Sequence, residues 1–433
     1  MKKLIFFFTI IFIQWVDAQL YFPPTSSTTW ETKPIAELNW CQDKVDALNN
    51  FLDDNNTKAF IVLKDGKIVL EQYFGGHTAS DAWYWASAGK TLTATMVGIA
   101  QQENFLNINN KTSDYLGVGW TSCTLAQENA ITVKNQLTMT TGLNDGVSNS
   151  GCFTPDCFQY LAAPGTRWAY HNGPYTILDQ VIANATGVSL NQYTTTKLKT
   201  PTGMTGSFFP IDNNNVFVSN ARSMARFGLL MLNNGNWNGN QILNTNYFNE
   251  MVNTSQNINK SYGYLWWLTG KESFMVPQSQ ITFPSFLMPN APVDTYMALG
   301  KNGQFINVVP SQNLVFIRMG DAPSNDLVPF LLNDQIWVYI NDLPCELETN
   351  SFDKTTIEVY PNPASDLVNI NMPASIDLKK CQLRILDSKG KILKIVKPQS
   401  HQFNLDISAF SQQLLLLYLF DGEKVLKSKL IKK

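Results

Sequence analysis

The pattern of apolar residues changes near Thr349, and this change limits how much of the chain one fold can occupy. Before it, segments with apolar residues at helical spacing are mixed with strand-like runs. After Ile357, short alternating strands follow one another, separated by turn residues. We therefore predict an α+β domain over residues 19–349 and a small all-β sandwich over residues 350–433. A length of 433 residues accommodates both domains.

Local signals predict several elements of the first domain. Helices are expected over residues 35–52, 87–102, 219–235 and 326–341, the third of them capped by Ser219. The dipeptide Asp65-Gly66 lies between two β-rich runs and predicts a hairpin. A second hairpin is predicted to turn at residues 310–312.

The first residues carry the signature of a secretory signal peptide. Two lysines precede an apolar run over residues 4–13, and small residues at 16–18 offer a cleavage site. The run is shorter than the roughly 20 apolar residues that a membrane-spanning helix needs. We expect residues 1–18 to be removed and the mature protein to be secreted, without a transmembrane segment.

Charge and cysteine content exclude several other classes. The net charge of −2 gives no reason to expect nucleic acid or an anionic membrane as a partner. Six cysteines are compatible with disulfides in an exported protein, and Cys152 and Cys157 bracket a turn sequence that they could close into a loop. The cysteine spacings do not suit zinc, and the chain has only three histidines. We expect no metal site and no cofactor.

The pattern Ser-x-x-Lys occurs at Ser87 and Lys90, and again at residues 351–354 and 388–391, so the pattern alone decides nothing. Only Ser87 stands at the start of a predicted helix, one turn from its lysine, where both side chains face the same side. The N–H groups of such a helix start can bind a developing oxyanion. Burial lowers the pKa of a lysine, which makes its amine a base for a serine nucleophile. No Gly-x-Ser-x-Gly elbow is present, which favours lysine as the base.

Two further motifs carry polar groups that could serve the same chemistry. Tyr170 and Asn172 stand in a loop before a predicted helix. A tyrosine near two lysines could lose its proton more easily, and the asparagine could donate to a substrate carbonyl. Lys301, Asn302 and Gly303 open a predicted strand, where the lysine could bind a carboxylate and the glycine admits a substrate backbone. Judged on its pattern alone, the first motif is better explained by a half-buried loop tyrosine. A hairpin-edge lysine explains the second motif as well as a binding role does.

In that order, the three motifs resemble the serine β-lactamase-like, penicillin-binding hydrolases, in the branch of class C β-lactamases, D-alanyl-D-alanine carboxypeptidases and related esterases. The connecting segments ITVKNQLTMTTGL, PGTRWAYHN and YGYLWW are similar to segments of that family. The resemblance covers about residues 59–320 and implies an antiparallel sheet flanked by helices, with a helical subdomain. The first and last helices of that fold pack side by side, so a disulfide between Cys41 and Cys345 is expected. Asn302 departs from the Thr or Ser that is usual in the third motif.

The resemblance implies a role for each matched residue. Ser87 would be the acylated nucleophile, Lys90 its base and Tyr170 the partner acid or base. The backbone N–H groups of Ser87 and Gln304 would form the oxyanion hole. Asn172 would also orient Lys90. The residues implied to bind substrate are Asn172, Lys301, Gly303 and Gln304.

The C-terminal segment resembles a second family. VYPNPASDLVNI, LRILDSKGKIL and the closing LYLFDGEKVLKSKLIKK are similar to the type A sorting domain of the type IX secretion system. This resemblance implies export across an outer membrane to the medium or the cell surface, with the secretion machinery as a partner. It would make the basic tail part of the sorting signal, although a last strand with solvated lysines accounts for the tail equally well.

Two kinds of function stay open at this point. The leading hypothesis is a secreted serine hydrolase that acts through an acyl-enzyme on small esters, amides or D-Ala-type peptides. The alternative is a non-catalytic binding or adhesion module on the same fold. A carbohydrate-binding role for aromatic residues such as Trp83 and Trp267 is weaker, because such residues more often pack a core or line the cleft itself.

Overall fold

The computed structural model describes residues 20–148, 152–211, 214–321, 328–345, 357–373, 376–388, 390–420 and 425–433. The chain divides into two compact units, Met1–Cys345 and Glu346–Lys433. The predicted domain boundary at residue 349, the signal peptide at residues 1–18 and the Ser-x-x-Lys pattern at 351–354 fall outside the described residues. All three stay predictions.

The first unit contains both strands and α-helices, whereas the described residues of the second unit contain strands. The strands are β1 (Thr57–Lys64), β2 (Lys67–Tyr73), β3 (Trp83–Tyr84), β4 (Ser207–Ile211), β5 (Asn214–Ser219), β6 (Asn236–Trp237), β7 (Asn240–Gln241), β8 (Trp267–Leu268), β9 (Tyr296–Gly300), β10 (Gln304–Val309), β11 (Leu314–Gly320), β12 (Glu358–Tyr360), β13 (Leu367–Asn371), β14 (Gln382–Leu386), β15 (Ile392–Val396), β16 (Gln402–Asp406), β17 (Gln413–Phe420) and β18 (Val425–Lys432). The α-helices are α1 (Gln42–Asp54), α2 (Lys90–Gln102), α3 (Ser113–Leu116), α4 (Leu125–Glu128), α5 (Val133–Leu137), α6 (Asn172–Thr176), α7 (Leu178–Thr186), α8 (Leu190–Thr194), α9 (Thr200–Thr202), α10 (Ala221–Leu232), α11 (Thr245–Met251) and α12 (Phe330–Asp342).

The first unit is built on a six-stranded antiparallel sheet in the order β2-β1-β11-β10-β9-β8. Alternate residues of a strand face opposite sides of a sheet, and helices cover both sides of this one. On one side α10 approaches so closely that a Cβ added to Gly228 would lie 2.6 Å from Val315. On the other side Trp337 of α12 packs edge-on against Phe316, with 5.1 Å between the ring centroids. The prediction of an antiparallel sheet flanked by helices is confirmed.

Both predicted hairpins are present. Asp65 and Gly66 join β1 to β2 with φ angles of 53° and 82°, and positive φ at both central residues is what a tight hairpin turn requires. Gly66 also has to be glycine for space, because an added Cβ would lie 2.0 Å from the carbonyl oxygen of Tyr21. A 3₁₀ turn over Pro310–Gln312 joins β10 to β11.

The prediction of one helix over residues 35–52 is wrong. A 3₁₀ turn over Ile35–Leu38 ends at Asn39, whose φ of 54° is left-handed, and α1 begins only at Gln42. The break has a tertiary cause, because the backbone N–H of Cys41 donates to the carbonyl of Leu343 at 2.9 Å. The segment is thus fixed to the end of α12 rather than continued as helix.

The other predicted helices are present with shifted ends. α2 is buried from Lys90 to Ala100, and a 3₁₀ turn over Ala86–Gly89 precedes it. α10 is capped by Asn220, whose side chain accepts from a backbone N–H, and not by Ser219 as predicted. The hydroxyl of Ser219 instead accepts a hydrogen bond from the indole of Trp85 at 2.9 Å. α12 begins at Phe330, and residues 326–327 are not described.

Two disulfides are formed, as the sequence suggested. Cys41 and Cys345 are bonded with their Cα atoms 4.9 Å apart, which ties the start of α1 to the segment after α12. Cys152 and Cys157 are bonded across the short loop that they bracket, with Cα atoms 6.0 Å apart.

The second unit is all β. Its strands form a three-stranded sheet, β12-β13-β16, and a four-stranded sheet, β15-β14-β17-β18. Alternate residues of β17 are buried in a core of their own, namely Leu415, Leu417 and Leu419. The basic tail forms the last strand, which pairs with β17 along its whole length. The predicted small all-β fold is confirmed.

Candidate active site

Ser87 lies in the 3₁₀ turn that leads into α2. The residue before it, Ala86, has a φ of 46°, a left-handed conformation that costs free energy for a residue with a side chain. The indole of the fully buried Trp85 anchors the same turn. Such strain is found where a structure must aim one side chain, and in this turn it directly precedes the half-buried Ser87.

Lys90 is the first residue of α2 and contacts Ser87. Its Nζ donates a hydrogen bond to Ser87 Oγ over 2.9 Å. The lysine is only 3% exposed, and burial lowers its pKa from 10.5 to about 7. Its ammonium also lies over the ring of Tyr175, 4.3 Å from the centroid, and 5.1 Å from that of Tyr170. A lysine amine in this setting is partly neutral near pH 7 and able to accept a proton.

Tyr170 also meets the nucleophile, but its acidity differs from the prediction. Its hydroxyl interacts with Ser87, and its ring stacks on Trp267 of β8 with centroids 5.7 Å apart. Burial raises the pKa of Tyr170 well above its ordinary value, an effect that the interaction with Ser87 only partly offsets. The expectation that nearby lysines ease its ionisation is therefore wrong, because desolvation of the phenolate dominates. Tyr170 holds its proton at neutral pH.

Asn172 is the first residue of α6, which begins at the cavity that contains Ser87 and Lys90. Asn172 lines the cavity over Ser87, and within the described residues its side-chain Oδ1 is buried without a hydrogen-bond partner. No hydrogen bond joins it to Lys90 in the described part of the chain, so the implied orienting role stays a prediction. Tyr175 was missed by sequence reasoning, although its position three residues after Asn172 on a helix was a usable signal.

Lys301, Asn302 and Gly303 form a 3₁₀ turn between β9 and β10, and do not open a strand as predicted. Asn302 makes the turn possible by adopting a φ of 61°, and its amide donates to the hydroxyl of Tyr84 at 2.6 Å. The fully buried Arg318 fixes the turn from below through the carbonyl of Gly303 at 2.7 Å.

The predicted binding residues divide into two groups. A cavity of about 530 Å³ is lined by Ser87, Lys90, Tyr170, Asn172 and Lys301 among others. Gly303 and Gln304 are buried and do not line it. The side chain of Gln304 donates to and accepts from the backbone of Gly320. The last residue of β9 lies nearer the nucleophile, because a Cβ added to Gly300 would be 3.1 Å from the backbone nitrogen of Ser87.

The remaining cavity wall is mixed in character. Asp145 supplies a carboxylate, but Arg167 pairs with it at 2.8 Å. Ile211, Val216 and Pro277 add apolar surface, and Lys301 adds an exposed ammonium. The cavity thus presents a serine beside a partly neutral amine, a protonated phenol and room for a small substrate.

A family model described as Beta-lactamase matches residues 54–326. A second model, the secretion system C-terminal sorting domain, matches residues 358–433 and implies type IX secretion to the cell surface or beyond. A curated relative, "Putative penicillin-binding protein PbpX" of Bacillus subtilis, is 25% identical over 182 residues. That match covers 39% of the chain and only 45% of the relative.

Solved structures show the same fold. A family VIII carboxylesterase aligns over 73% of the chain and 99% of its own length, with a TM-score of 0.54 and 15% identity. The octameric penicillin-binding protein homologue from Pyrococcus abyssi aligns over 90% of the chain and 96% of its own length, with a TM-score of 0.54 and 14% identity. None of the helices in the described part of the chain is long and apolar enough to cross a bilayer.

Proposed function

The chain belongs to the Beta-lactamase family, and on this premise we propose that its first unit is a serine hydrolase that forms an acyl-enzyme on Ser87. Small esters, amides or D-Ala-type peptides are the proposed substrates. The observation that carries the proposal is the 2.9 Å contact between Ser87 Oγ and the buried Nζ of Lys90. A nucleophile beside a base whose pKa lies near the working pH is what acyl transfer needs.

The first half of the reaction follows from these contacts. Neutral Lys90 takes the proton of Ser87, and Oγ bonds to the carbonyl carbon of the substrate, whose oxygen becomes an oxyanion. The N–H of Ser87, in the 3₁₀ turn that precedes α2, is one donor to that oxyanion. We assign the second donor to the backbone N–H of Lys301 rather than that of Gln304, because Gly300 brings the backbone of that strand end next to Ser87.

The second half uses Tyr170 as a proton carrier. Because it is protonated at neutral pH, Tyr170 can give its proton to the leaving alcohol or amine and regain one from protonated Lys90. Cleavage of the C–O or C–N bond then leaves the acyl group on Ser87. Water then attacks the carbonyl carbon of the acyl-enzyme while its proton passes to the neutral amine of Lys90. The bond from that carbon to Ser87 Oγ breaks, Lys90 returns the proton to Oγ, and the carboxylic acid is released.

The test is a hydrolysis screen over p-nitrophenyl esters, D-Ala-D-Ala peptides and a chromogenic β-lactam with two matched variants. Ser87→Ala should lower the rate on every cleaved substrate by about 10⁴-fold or more. Ser388→Ala is the control, because Ser388 heads another Ser-x-x-Lys pattern, in an exposed turn of the second unit, and should leave rates unchanged. Near-full activity of folded Ser87→Ala would refute the assignment of Ser87 as the nucleophile. A parent that cleaves none of the substrates would favour a non-catalytic binding module.

A further inference from the structure

A second cavity adjoins the one over Ser87. It has a volume of about 360 Å³ and shares Asn214 and Asn215 with the first cavity as common wall residues. We call it the side chamber, and its further lining includes Phe153, Asp179 and Pro210. No step proposed above uses this space or its carboxylate.

Asp179 is the charged group of the side chamber and has no cation to balance it among the described residues. Its carboxylate accepts a hydrogen bond from Asn215 Nδ2 at 3.1 Å. No ion pair joins it to a lysine or arginine of the described part of the chain, in contrast to Asp145, which Arg167 neutralises. Burial raises the pKa of Asp179 to about 6, so the carboxyl group is ionised at neutral and mildly alkaline pH. A desolvated anion of this kind is stabilised by an incoming cation.

The position of Asp179 suits a substituent of a substrate attached at Ser87. Asp179 follows Tyr175 by four residues along α6 and α7, and the intervening Ile177 keeps helical angles. A helical rise of about 1.5 Å per residue places it roughly 6 Å along the axis from Tyr175. The ring of Tyr175 lies 4.3 Å from Lys90 Nζ, so a short substituent of a bound substrate can extend from the reacting groups toward the carboxylate.

Phe153 completes the environment of a cation. It lines the side chamber and is 38% exposed, which leaves aromatic surface free to contact a ligand. An aromatic face and a carboxylate together are the groups that recognise ammonium and quaternary ammonium ions. We propose that the side chamber binds a cationic substituent of the substrate, and that Asp179 selects for it. The inference rests on the proposed function, since the substituent is attached to the scissile ester or amide.

The test compares pairs of esters that differ only in charge. On the acyl side the pair is p-nitrophenyl 4-(trimethylammonio)butyrate and p-nitrophenyl 5,5-dimethylhexanoate. On the alcohol side it is butyrylcholine and 3,3-dimethylbutyl butyrate. The parent should prefer the cationic member of at least one pair by about tenfold in kcat/KM, which one charge-assisted contact supplies. The pair that shows the preference tells whether the cation belongs to the acyl or the leaving group.

Asp179→Asn removes the charge but keeps an oxygen that can accept from Asn215. It should abolish the preference while kcat/KM for the neutral ester stays within about twofold, a pattern that a purely structural role would not give. Asp114→Asn is the matched control, because Asp114 is an exposed residue in the first turn of another helix. A parent without preference in either pair, or a preference that survives in Asp179→Asn, would overturn the proposal.

A binding measurement separates this proposal from the proposed function. Choline and 3,3-dimethylbutan-1-ol are titrated into Ser87→Ala protein, with and without Asp179→Asn, by calorimetry or NMR. Choline should bind about tenfold more tightly than the neutral alcohol, and Asp179→Asn should remove that difference. This result would stand even if no ester were cleaved. Equal affinity for the two probes would refute the proposal that the side chamber binds a cation, whatever the activity of Ser87.

Discussion

Replacing the buried base by an apolar residue of similar length should stabilise the protein while it abolishes activity. Lys90 is 3% exposed, and its pKa falls from 10.5 to about 7 on folding, since burial disfavours the charged form. Each tenfold change in proton affinity corresponds to about 1.4 kcal/mol. At pH 7 the folded state therefore loses about 4 kcal/mol of stability relative to a chain without this group.

The sign of the pH dependence follows from proton counting. Between about pH 7 and the unfolded lysine pKa of about 10.4, the unfolded state binds the proton that the folded state has released, so stability rises with pH. The cost of Lys90 should shrink from about 4 kcal/mol at pH 7 to less than about 1 kcal/mol at pH 10. Below pH 7 both states are protonated and the cost stays near its maximum.

The assay is urea unfolding of the parent and of Lys90→Met at about pH 7 and about pH 10. Methionine keeps the length of the side chain and can contact the rings of Tyr170 and Tyr175 through its sulfur. Other titrating groups are common to both proteins and cancel in the difference. A Lys90→Met protein that is less stable than the parent at pH 7, or a difference that does not shrink at pH 10, would refute the reasoning.

Three further predictions concern other parts of the chain. Cys41→Ala with Cys345→Ala should lower the free energy of unfolding by about 6 kcal/mol, the chain-entropy estimate for a sequence separation of 304, as measured by denaturant titration without reductant. No change would show that the bond does not constrain the unfolded chain. Gly303→Ala should lower kcat/KM at least tenfold, because φ is +77° at this position and an added Cβ would lie 2.2 Å from Nη1 of Arg318. Unaltered kinetics would mean that the turn over Lys301–Gly303 does not position the site. A chain ending at residue 349 should keep full specific activity but stay in the periplasm of a host with type IX secretion; loss of activity in a folded protein would refute the division into domains.

Local chemistry explains which features the sequence could predict. Asp65 and Gly66 specify a hairpin because few dipeptides tolerate two positive φ angles. Ser87 and Lys90 are found because one helical turn places them together whatever surrounds them. Tertiary contacts explain what was missed: the helix break at Asn39 depends on the end of α12, and the acidity of Tyr170 depends on how deeply its ring is buried.

The side chamber is a further feature that could not be predicted from the sequence. Asp179 is one acidic residue in the first turn of a helix, a common position that helix electrostatics alone would explain. The proposed role of Asp179 in binding a cation depends on Asn215 and Phe153. These two residues are distant from it in sequence and line the same cavity only in the folded chain. Likewise, Asn302 departs from the family motif in sequence, but only the structure shows its bond to Tyr84.

The acyl-enzyme itself is the most direct test of the account. Protein incubated with p-nitrophenyl acetate is quenched in acid, digested and examined by mass spectrometry, alongside Ser87→Ala and Lys90→Met. The account predicts that the parent gains one acyl group, located on the peptide that contains Ser87, and that neither variant gains it. Acylation at another residue, or equal acylation of Ser87→Ala, would contradict the central claim.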